Sequence, residues 1–245
     1  MNALALLVAG GRGERLARTH PDRPKALLEV GGVALLDRNL ERLRAAGLCD
    51  VWIAVGHRSD EIAAHMKRRG AHRDGAAAAA NGRAPELLVE VQPLGTIGAL
   101  ASLPEPARTA LVVNADLLSA IDLRALLAVH AERAADLTIA THFEEHRLKL
   151  GEVAVDAEGR VTAYLEKPVK RFRISSGTYV VGARARALLV AGEPCAFPTL
   201  VERALARRLA VVHHDHGAPW LDVNDADDLA AAERLLAAER PRFVR

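Results

Sequence analysis

The sequence of 245 residues predicts a single α/β domain built on a mixed, mainly parallel central sheet. Three observations predict it. Apolar runs of strand length alternate with amphipathic helical stretches as far as residue 141, the pattern of strands joined by crossover helices. The first run, LALLVA (4–9), is apolar throughout and ends in glycines, as a strand buried on both faces does. After residue 150 the grain changes to a hairpin-like segment, with no internal repeat and no linker dividing the chain.

The elements follow in order. VALLDRNLERLRAAG (33–47) has apolar residues at 35, 36, 40 and 43 and closes on Gly47, an amphipathic helix with a glycine stop. VWIAVG (51–56) is the next strand. SDEIAAHMKRR (59–69) is a helix that Ser59 can cap, with acids in its first turn. Residues 70–86, GAHRDGAAAAANGRAPE, read as an exposed, mobile loop. LLVEV (87–91), ALVVN (110–114) and LTIAT (137–141) are strands, and DLRALLAVHAERAAD (122–136) is a helix. GEVAVDAEGRVTAYLEKP (151–168) reads as a hairpin turning at 157–159, SGTYVVG (176–182) as a strand, and helices fall near 197–208 and 224–238.

Composition narrows the function. Hydrophobic residues are 50%, charged residues 26% and aromatics only 3%, so the core must come from Leu, Val, Ile and Ala. A net charge of +2 without blocks of one sign gives no case for nucleic acid or a membrane surface. Cys49 and Cys195 fit no metal spacing and read as free thiols in a reducing compartment. No basic segment precedes the first apolar run, which breaks at Gly10, and no stretch approaches the ~18 apolar residues of a membrane helix. The expectation is a cytoplasmic protein; whether it forms a homo-oligomer stays open.

The segment GGRGERLARTHPDRPKALLEVGG (10–32) carries the chemistry. A P-loop needs Lys-Ser/Thr directly after its last glycine, and none is here. A dinucleotide fingerprint needs a third glycine where Leu16 stands. What remains is a loop whose backbone N–H groups wrap a triphosphate at Gly10, Gly11 and Gly13. Arg15 is placed to fork onto a phosphate. Pro24 keeps Arg23 extended, so the chain loops out and returns Lys25 to the same pocket as a point charge. The bland alternative is a tight turn with solvated cations; the complete spacing G-G-x-G-x-R-L…P-K-x-L argues against it.

This segment resembles the signature of the sugar-1-phosphate nucleotidylyltransferases, which join a nucleoside triphosphate to a sugar 1-phosphate and release pyrophosphate. The resemblance continues through QPLGTIGAL (92–100), LVVNAD (111–116), GEVAVD (151–156), EKP (166–168), SGTYV (176–180) and WLDVNDADDL (220–229). It implies a Rossmann-like domain of the nucleotide-diphospho-sugar transferase type, with residues 1–120 as the nucleotide-binding half and 121–245 as the sugar-phosphate half. It implies catalytic roles for Arg15, Lys25 and Asp116, and a Mg²⁺ held by Asp116 and Asp222. Gln92, Gly95 and Thr96 would meet the nucleobase, where Gln92 has an amide for a base edge, Gly95 leaves room for a flat ring and Thr96 doubles as a helix N-cap. Gly151, Glu166, Lys167 and Gly177 would meet the sugar phosphate.

Taken alone, Asp116 reads equally as a helix-capping acid and Glu166–Lys167 as a solvated strand end; Asp122 is better explained as a helix cap. HHDH (213–216) matches no zinc spacing and reads as a polar strand end. The chain departs from the family pattern at Ala26, where little should follow, and at Ala115, Ser175, Ser176 and Asn224; together these departures leave the reaction type as expected and the sugar open. Ala115 adds a methyl group expected to crowd a ribose or sugar. Within the family, PLGTIGAL most resembles guanylyltransferases acting on mannose or manno-heptose 1-phosphates, so GTP is preferred over uridylyl, thymidylyl or adenylyl donors. The rivals are a nucleotide-sugar-dependent glycosyltransferase, a molybdopterin-type guanylyltransferase and a non-catalytic nucleotide-sugar sensor.

Overall fold

The computed structural model describes residues 3–11, 23–71 and 84–243. Gly13, Arg15 and the greater part of the 70–86 segment lie outside the described residues.

The first strand, β1 (Leu4–Val8), sits deep in the protein because its side chains feed two cores. Ala5 and Leu7 enter one apolar cluster, Leu4 and Leu6 the other, which is the period-2 signature of a strand covered on both faces. Two two-residue strands, β2 (Glu29–Val30) and β3 (Val33–Ala34), form a small ribbon ahead of helix α1 (Leu35–Ala45). Leu36, Leu40 and Leu43 of α1 join the first cluster, as their spacing predicts. Strand β4 (Val51–Val55), helix α2 (Ser59–Ala71) and strand β5 (Glu86–Val89) complete the first run of alternation.

Strand β6 (Ala110–Asn114) is followed at once by β7 (Leu117–Ser119) and then helix α3 (Leu123–Glu132). Asp122 caps α3, its carboxylate accepting from the N–H groups of Arg124 and Ala125, as expected. Strands β8 (Leu137–Arg147) and β11 (Val169–Val181) are long and flank the hairpin β9 (Glu152–Val155) and β10 (Val161–Leu165). The chain ends with helices α4 (Ala183–Arg186) and α5 (Phe197–Ala206), strands β12 (Val211–Asp215) and β13 (Trp220–Asp222), and helix α6 (Ala226–Phe243). Among the described residues no helix is long and apolar enough to cross a membrane.

The main sheet has seven strands in the order β12-β8-β11-β6-β1-β4-β5. Only β11 runs against the others, so the sheet is mixed and mainly parallel, as the sequence predicts. The second cluster is closed by α5, whose Phe197 stacks on Tyr179 of β11 at 3.5 Å between ring centroids. A third cluster seats α6, through Ala232 and Leu236, on Val30, Leu35, Leu118 and Val223.

Candidate active site

Three chain segments meet beyond the carboxyl end of β6, where ligand sites of open α/β sheets lie. Asp116 follows β6 by two residues; the Ala115 N–H bonds the Val8 carbonyl, so the strand's direction carries into the turn. Next, β7 pairs antiparallel with β13, and in that register Leu117 faces Asp222. The Val223 N–H closes the end of the ribbon on the Asp116 carbonyl at 3.2 Å. A five-residue strand and a three-residue ribbon thus bring two carboxylates together from distant parts of the chain.

Lys25 reaches them from a third direction. Pro24 leads extended backbone into a single 3-10 turn, Lys25–Leu27, pinned by the Leu27 N–H on the Pro24 carbonyl. Ala26 and Leu27 are buried in the first cluster and anchor that turn. The Lys25 ammonium donates to Asp116 Oδ2 at 2.5 Å and to Asn224 Oδ1 at 2.8 Å, and lies 3.5 Å from Asp222 Oδ1. Burial drives the Asp116 pKa up, the Lys25 charge opposes that, and the Asp222 charge reinforces it. Asp116 Oδ1 and Asp222 Oδ1 are buried and have no hydrogen-bond partner among the described residues.

At the other side of β1, Glu90 follows β5 and turns its carboxylate toward the glycine turn. A Cβ on Gly10 would lie 3.1 Å from Glu90 Oε2, so glycine is what allows this approach. Glu90 Oε2 accepts the Leu94 N–H at 3.3 Å, while Oε1 is buried with no hydrogen-bond partner among the described residues. Burial pushes the Glu90 pKa up. Among the described residues nothing lies within 4 Å of a Cβ placed on Gly11.

The nucleotidyl transferase family profile matches residues 4–239. The chain belongs to this family. It is 33% identical over 180 residues to the mannose-1-phosphate guanylyltransferase of Mycobacterium tuberculosis, an alignment covering 72% of this chain and 48% of that one. It is 29% identical over 244 residues to the bifunctional IPC transferase and DIPP synthase of Rubrobacter xylanophilus, covering 95% of this chain and 51% of that one. The chain therefore spans about half the length of these two curated relatives. The crystal structure of HddC from Yersinia pseudotuberculosis complexed with GMP-PN superposes with a TM-score of 0.66 at 20% identity, over 95% of this chain and 98% of that one. That likeness shows the shared fold.

Within this nucleotidyl transferase, several residues singled out from the sequence stand differently from expectation. Gln92 donates its amide to the Gly192 carbonyl at 3.0 Å, so its N–H is already engaged. Gly95, at φ +73°, does not hold space open: a Cβ there would lie 2.7 Å from the Cys195 carbonyl oxygen, and the flanking Leu94 and Ile97 bond to the Cys195 backbone. Thr96 is not a helix cap; the helix that follows is a 3-10 turn, Gly98–Ser102, with Ile97 at the cap position and no side-chain cap bond. The Ala115 methyl is packed in the first cluster. Ser176 is fully buried, with its hydroxyl between His142 Nδ1 at 2.8 Å and His216 Nε2 at 2.7 Å.

The residues expected to meet the sugar phosphate are divided between two places. Gly151 lies against Tyr164, whose ring a Cβ would overlap. Glu166 accepts from the Tyr164 hydroxyl at 3.2 Å and pairs with Lys167 at 3.8 Å. Among the described residues neither is hydrogen-bonded or ion-paired to Lys25, Asp116 or Asp222. Gly177 sits beside the Asn114 amide at the end of β6, on the Asp116 side. Trp220 donates its indole N–H to the Ser176 carbonyl at 2.8 Å, and its ring lies tilted against His142, 4.4 Å between centroids.

Two participants escaped the sequence reading. Asn224 was legible only as a departure from the family glycine, while its amide oxygen is the third acceptor on Lys25. Glu90 was legible only as an acid interrupting an apolar strand, LLVEV.

Proposed function

We propose that this chain transfers a nucleoside monophosphate from a nucleoside triphosphate to a sugar 1-phosphate and releases pyrophosphate, with GTP and a mannose- or manno-heptose-type acceptor preferred. The observation that carries the reading is the Lys25 ammonium held between Asp116 and Asp222 at a strand end, in a chain matched by the nucleotidyl transferase family nearly end to end. Two polyanions must meet in this reaction. A sugar phosphate is already ionised at neutral pH, so the protein supplies alignment and charge rather than a base.

Residues 1–120 supply the nucleotide side, with Gly10, Gly11, Gly13 and Arg15 on the triphosphate and Lys25 on the reacting phosphate. Residues 121–245 supply the sugar-phosphate side, through Gly151, Glu166, Lys167 and Gly177. Oδ1 of Asp116 and Oδ1 of Asp222, neither hydrogen-bonded among the described residues, are hard donors and fit a Mg²⁺ ion, which is typically bound through one or two carboxylates and substrate phosphates. Such an ion, when bound, neutralises phosphate charge. Lys25 moves from the carboxylates to the phosphate as substrate arrives, and Asn224 keeps its ammonium oriented meanwhile.

Glu90 supports the preference for guanine. An ionised carboxylate only accepts hydrogen bonds, and guanine presents two adjacent donors, N1–H and the 2-amino group, to one such acceptor. Uracil, thymine and adenine each interleave donors with acceptors on that edge. The free Oε1 and the approach to Gly10 place this acceptor beside the turn assigned to the triphosphate.

The test is pyrophosphate release with Mg²⁺ over a grid of nucleoside triphosphates against mannose, glucose and manno-heptose 1-phosphates. The expected result is strong release with GTP and one manno-configured acceptor. A blank grid, with nucleotide sugar bound but not formed, would replace the enzyme reading with the sensor.

A further inference from the structure

Ser176 and the HHDH stretch (213–216) have no part in the proposed reaction, yet they meet at one irregularity of the main sheet. Strand β11 pairs with β8 at Ser175 and Thr141, and again at Tyr179 and Ile139. Residues 176–178 of β11 therefore lie opposite the single residue Ala140, as a bulge. Bulges of this kind re-aim the chain beside functional sites. This one turns Gly177, at φ +64°, against the Asn114 amide, two residues before Asp116.

A bulge interrupts its ladder, so the polar groups it carries need other partners. Side chains supply them at Ser176, which is fully buried. Glu144 Oε1 lies 3.1 Å from His142 Nε2, and His142 Nδ1 lies 2.8 Å from Ser176 Oγ. Ser176 Oγ in turn lies 2.7 Å from His216 Nε2. The acid end of this row dictates which atoms donate. The hydrogen bond from His142 holds the Glu144 carboxyl below the usual carboxylate range, with burial opposing and His146 assisting. An ionised carboxylate only accepts, so His142 Nε2 donates to it, and in the neutral ring Nδ1 accepts. The Ser176 hydroxyl then donates to His142 and accepts from His216 Nε2–H. Ser176 is held from both sides.

The same residues tether the other side of the centre. The Ser176 carbonyl accepts the Trp220 indole N–H at 2.8 Å, and the Trp220 ring lies against His142. Trp220 belongs to β13, where it faces Ser119 while Asp222 faces Leu117. β13 is three residues long and forms a two-stranded sheet with β7, a unit too small to hold its shape alone. His142 thus touches both Ser176 and Trp220; the first leads to Gly177, the second to Asp222. Among the described residues neither His142 nor Ser176 is hydrogen-bonded to Lys25, Asp116 or Asp222, so they act on the centre through other groups. We infer that His142 is a positioning residue, which through Ser176 and Trp220 sets the Gly177 turn and the strand that carries Asp222. The inference rests on the proposed nucleotidyl transfer, where it ties His142 to the affinity for sugar 1-phosphate and Mg²⁺.

The experiment measures pyrophosphate release by the full chain, by His142→Ala, His142→Asn and Trp220→Phe, and by the double variant His142→Ala/Trp220→Phe. In His142→Ala the KM for sugar 1-phosphate and the half-saturating Mg²⁺ concentration should each rise about tenfold, as when an outer partner of a binding group is lost. The KM for GTP at saturating Mg²⁺ should stay within about twofold, because its proposed contacts lie elsewhere. A loss of stability alone lowers the active fraction, hence kcat, and moves neither constant. In His142→Asn the side-chain amide stands at the level of Nδ1 and can keep the bond to Ser176, so most of the change should be recovered. Trp220→Phe loses the indole N–H and should raise the Mg²⁺ constant too, with the double variant less than additive. This comparison needs no change at His142 and keeps the test decisive if His142→Ala does not fold.

Hydrogen exchange of the 219–223 amides, read by mass spectrometry, tests the tether without turnover. Exchange there should be at least about tenfold faster in His142→Ala and in Trp220→Phe than in the parent, with β4 unchanged. A parent chain that releases no pyrophosphate would count against nucleotidyl transfer itself, and exchange alone would then decide the inference. Unchanged constants in the folded variants, a fall in kcat alone, an Asn variant no better than Ala, or unaltered exchange in β13 would each overturn it.

Discussion

Lys25 and Asp116 lie 91 residues apart in sequence, yet the ammonium nitrogen is 2.5 Å from Oδ2 of the carboxylate. The contact joins a 3-10 turn anchored by Ala26 and Leu27 to the end of a central strand, two rigid supports. It stores a cation where the proposed reaction needs one. Lys25→Ala is expected to lower kcat by roughly 10²- to 10³-fold, the usual consequence of removing one preorganised electrostatic group. Steady-state pyrophosphate release checks it, with circular dichroism to show an intact fold. A variant within a few-fold of the parent would remove Lys25 from the chemistry.

Asp222 is the more exposed of the two acids, and in the proposed reading it shares the cation with Asp116. Asp222→Asn keeps the shape and removes the charge. The Mg²⁺ concentration for half-maximal activity should rise at least about tenfold, as even outer partners of metal ligands cost that much. Excess chelator should abolish turnover in the parent protein and be reversed by added Mg²⁺. An unchanged Mg²⁺ dependence in Asp222→Asn would limit the metal to Asp116.

Glu90 offers a way to separate base choice from chemistry. In Glu90→Gln the amide presents one acceptor and one donor, so one of guanine's two donors loses its partner. The expected change is a fall of about 10- to 100-fold in kcat/KM for GTP, the discrimination carried by a bidentate base contact. UTP and ATP should change far less. Equal losses for all three donors would mean that Glu90 supports the glycine turn rather than reading the base.

Much of this arrangement was legible in the sequence, and the reason is local. β1, β4 and β6 carry their own burial pattern, and Asp116 follows the end of one of them by two residues. β7 and β13 are three residues each, too short for periodicity, and exist because they pair with one another. β8 was expected to stop at 141 and runs to Arg147, because HFEEHR is polar on both faces and is held by pairing with Val169–Ile174 of β11. Gly95 was visible as a glycine but not as a neighbour of Cys195, nor Asn224 as a partner of a lysine 199 residues away. Contacts of that range are made by the tertiary fold, and no window of sequence contains them.

Gly177 is a place where backbone and site meet. Its φ of +64° is in the left-handed region, and a Cβ there would lie 2.9 Å from the Asn114 amide nitrogen. Gly177→Ala should destabilise the protein by about 1–3 kcal/mol, from the strained backbone and the displaced amide together. A melting temperature lower by several degrees is the expected readout for a chain of this size. An unshifted melting temperature would mean that the turn adapts freely, and that Asn114 is not fixed by it.

His216 is expected to contribute to the pH dependence of stability. It is buried against the Ser176 hydroxyl, and burial, helped by the nearby positive charge of His142, His214 and Arg42, lowers its pKa from 6.5 to about 4. The folded protein therefore resists a proton that the unfolded chain accepts. The stability this neutral ring contributes is complete above pH 6.5 and declines as pH falls toward about 4. The full loss across that window is up to about 3 kcal/mol. Urea unfolding at pH 7.5 and at pH 5 should show the parent protein losing part of that amount, beyond what His216→Gln loses. Glutamine can keep a hydrogen bond to Ser176 but has no proton to gain, so its slope between the two pH values should be shallower. Parallel slopes would assign the acid sensitivity to other groups.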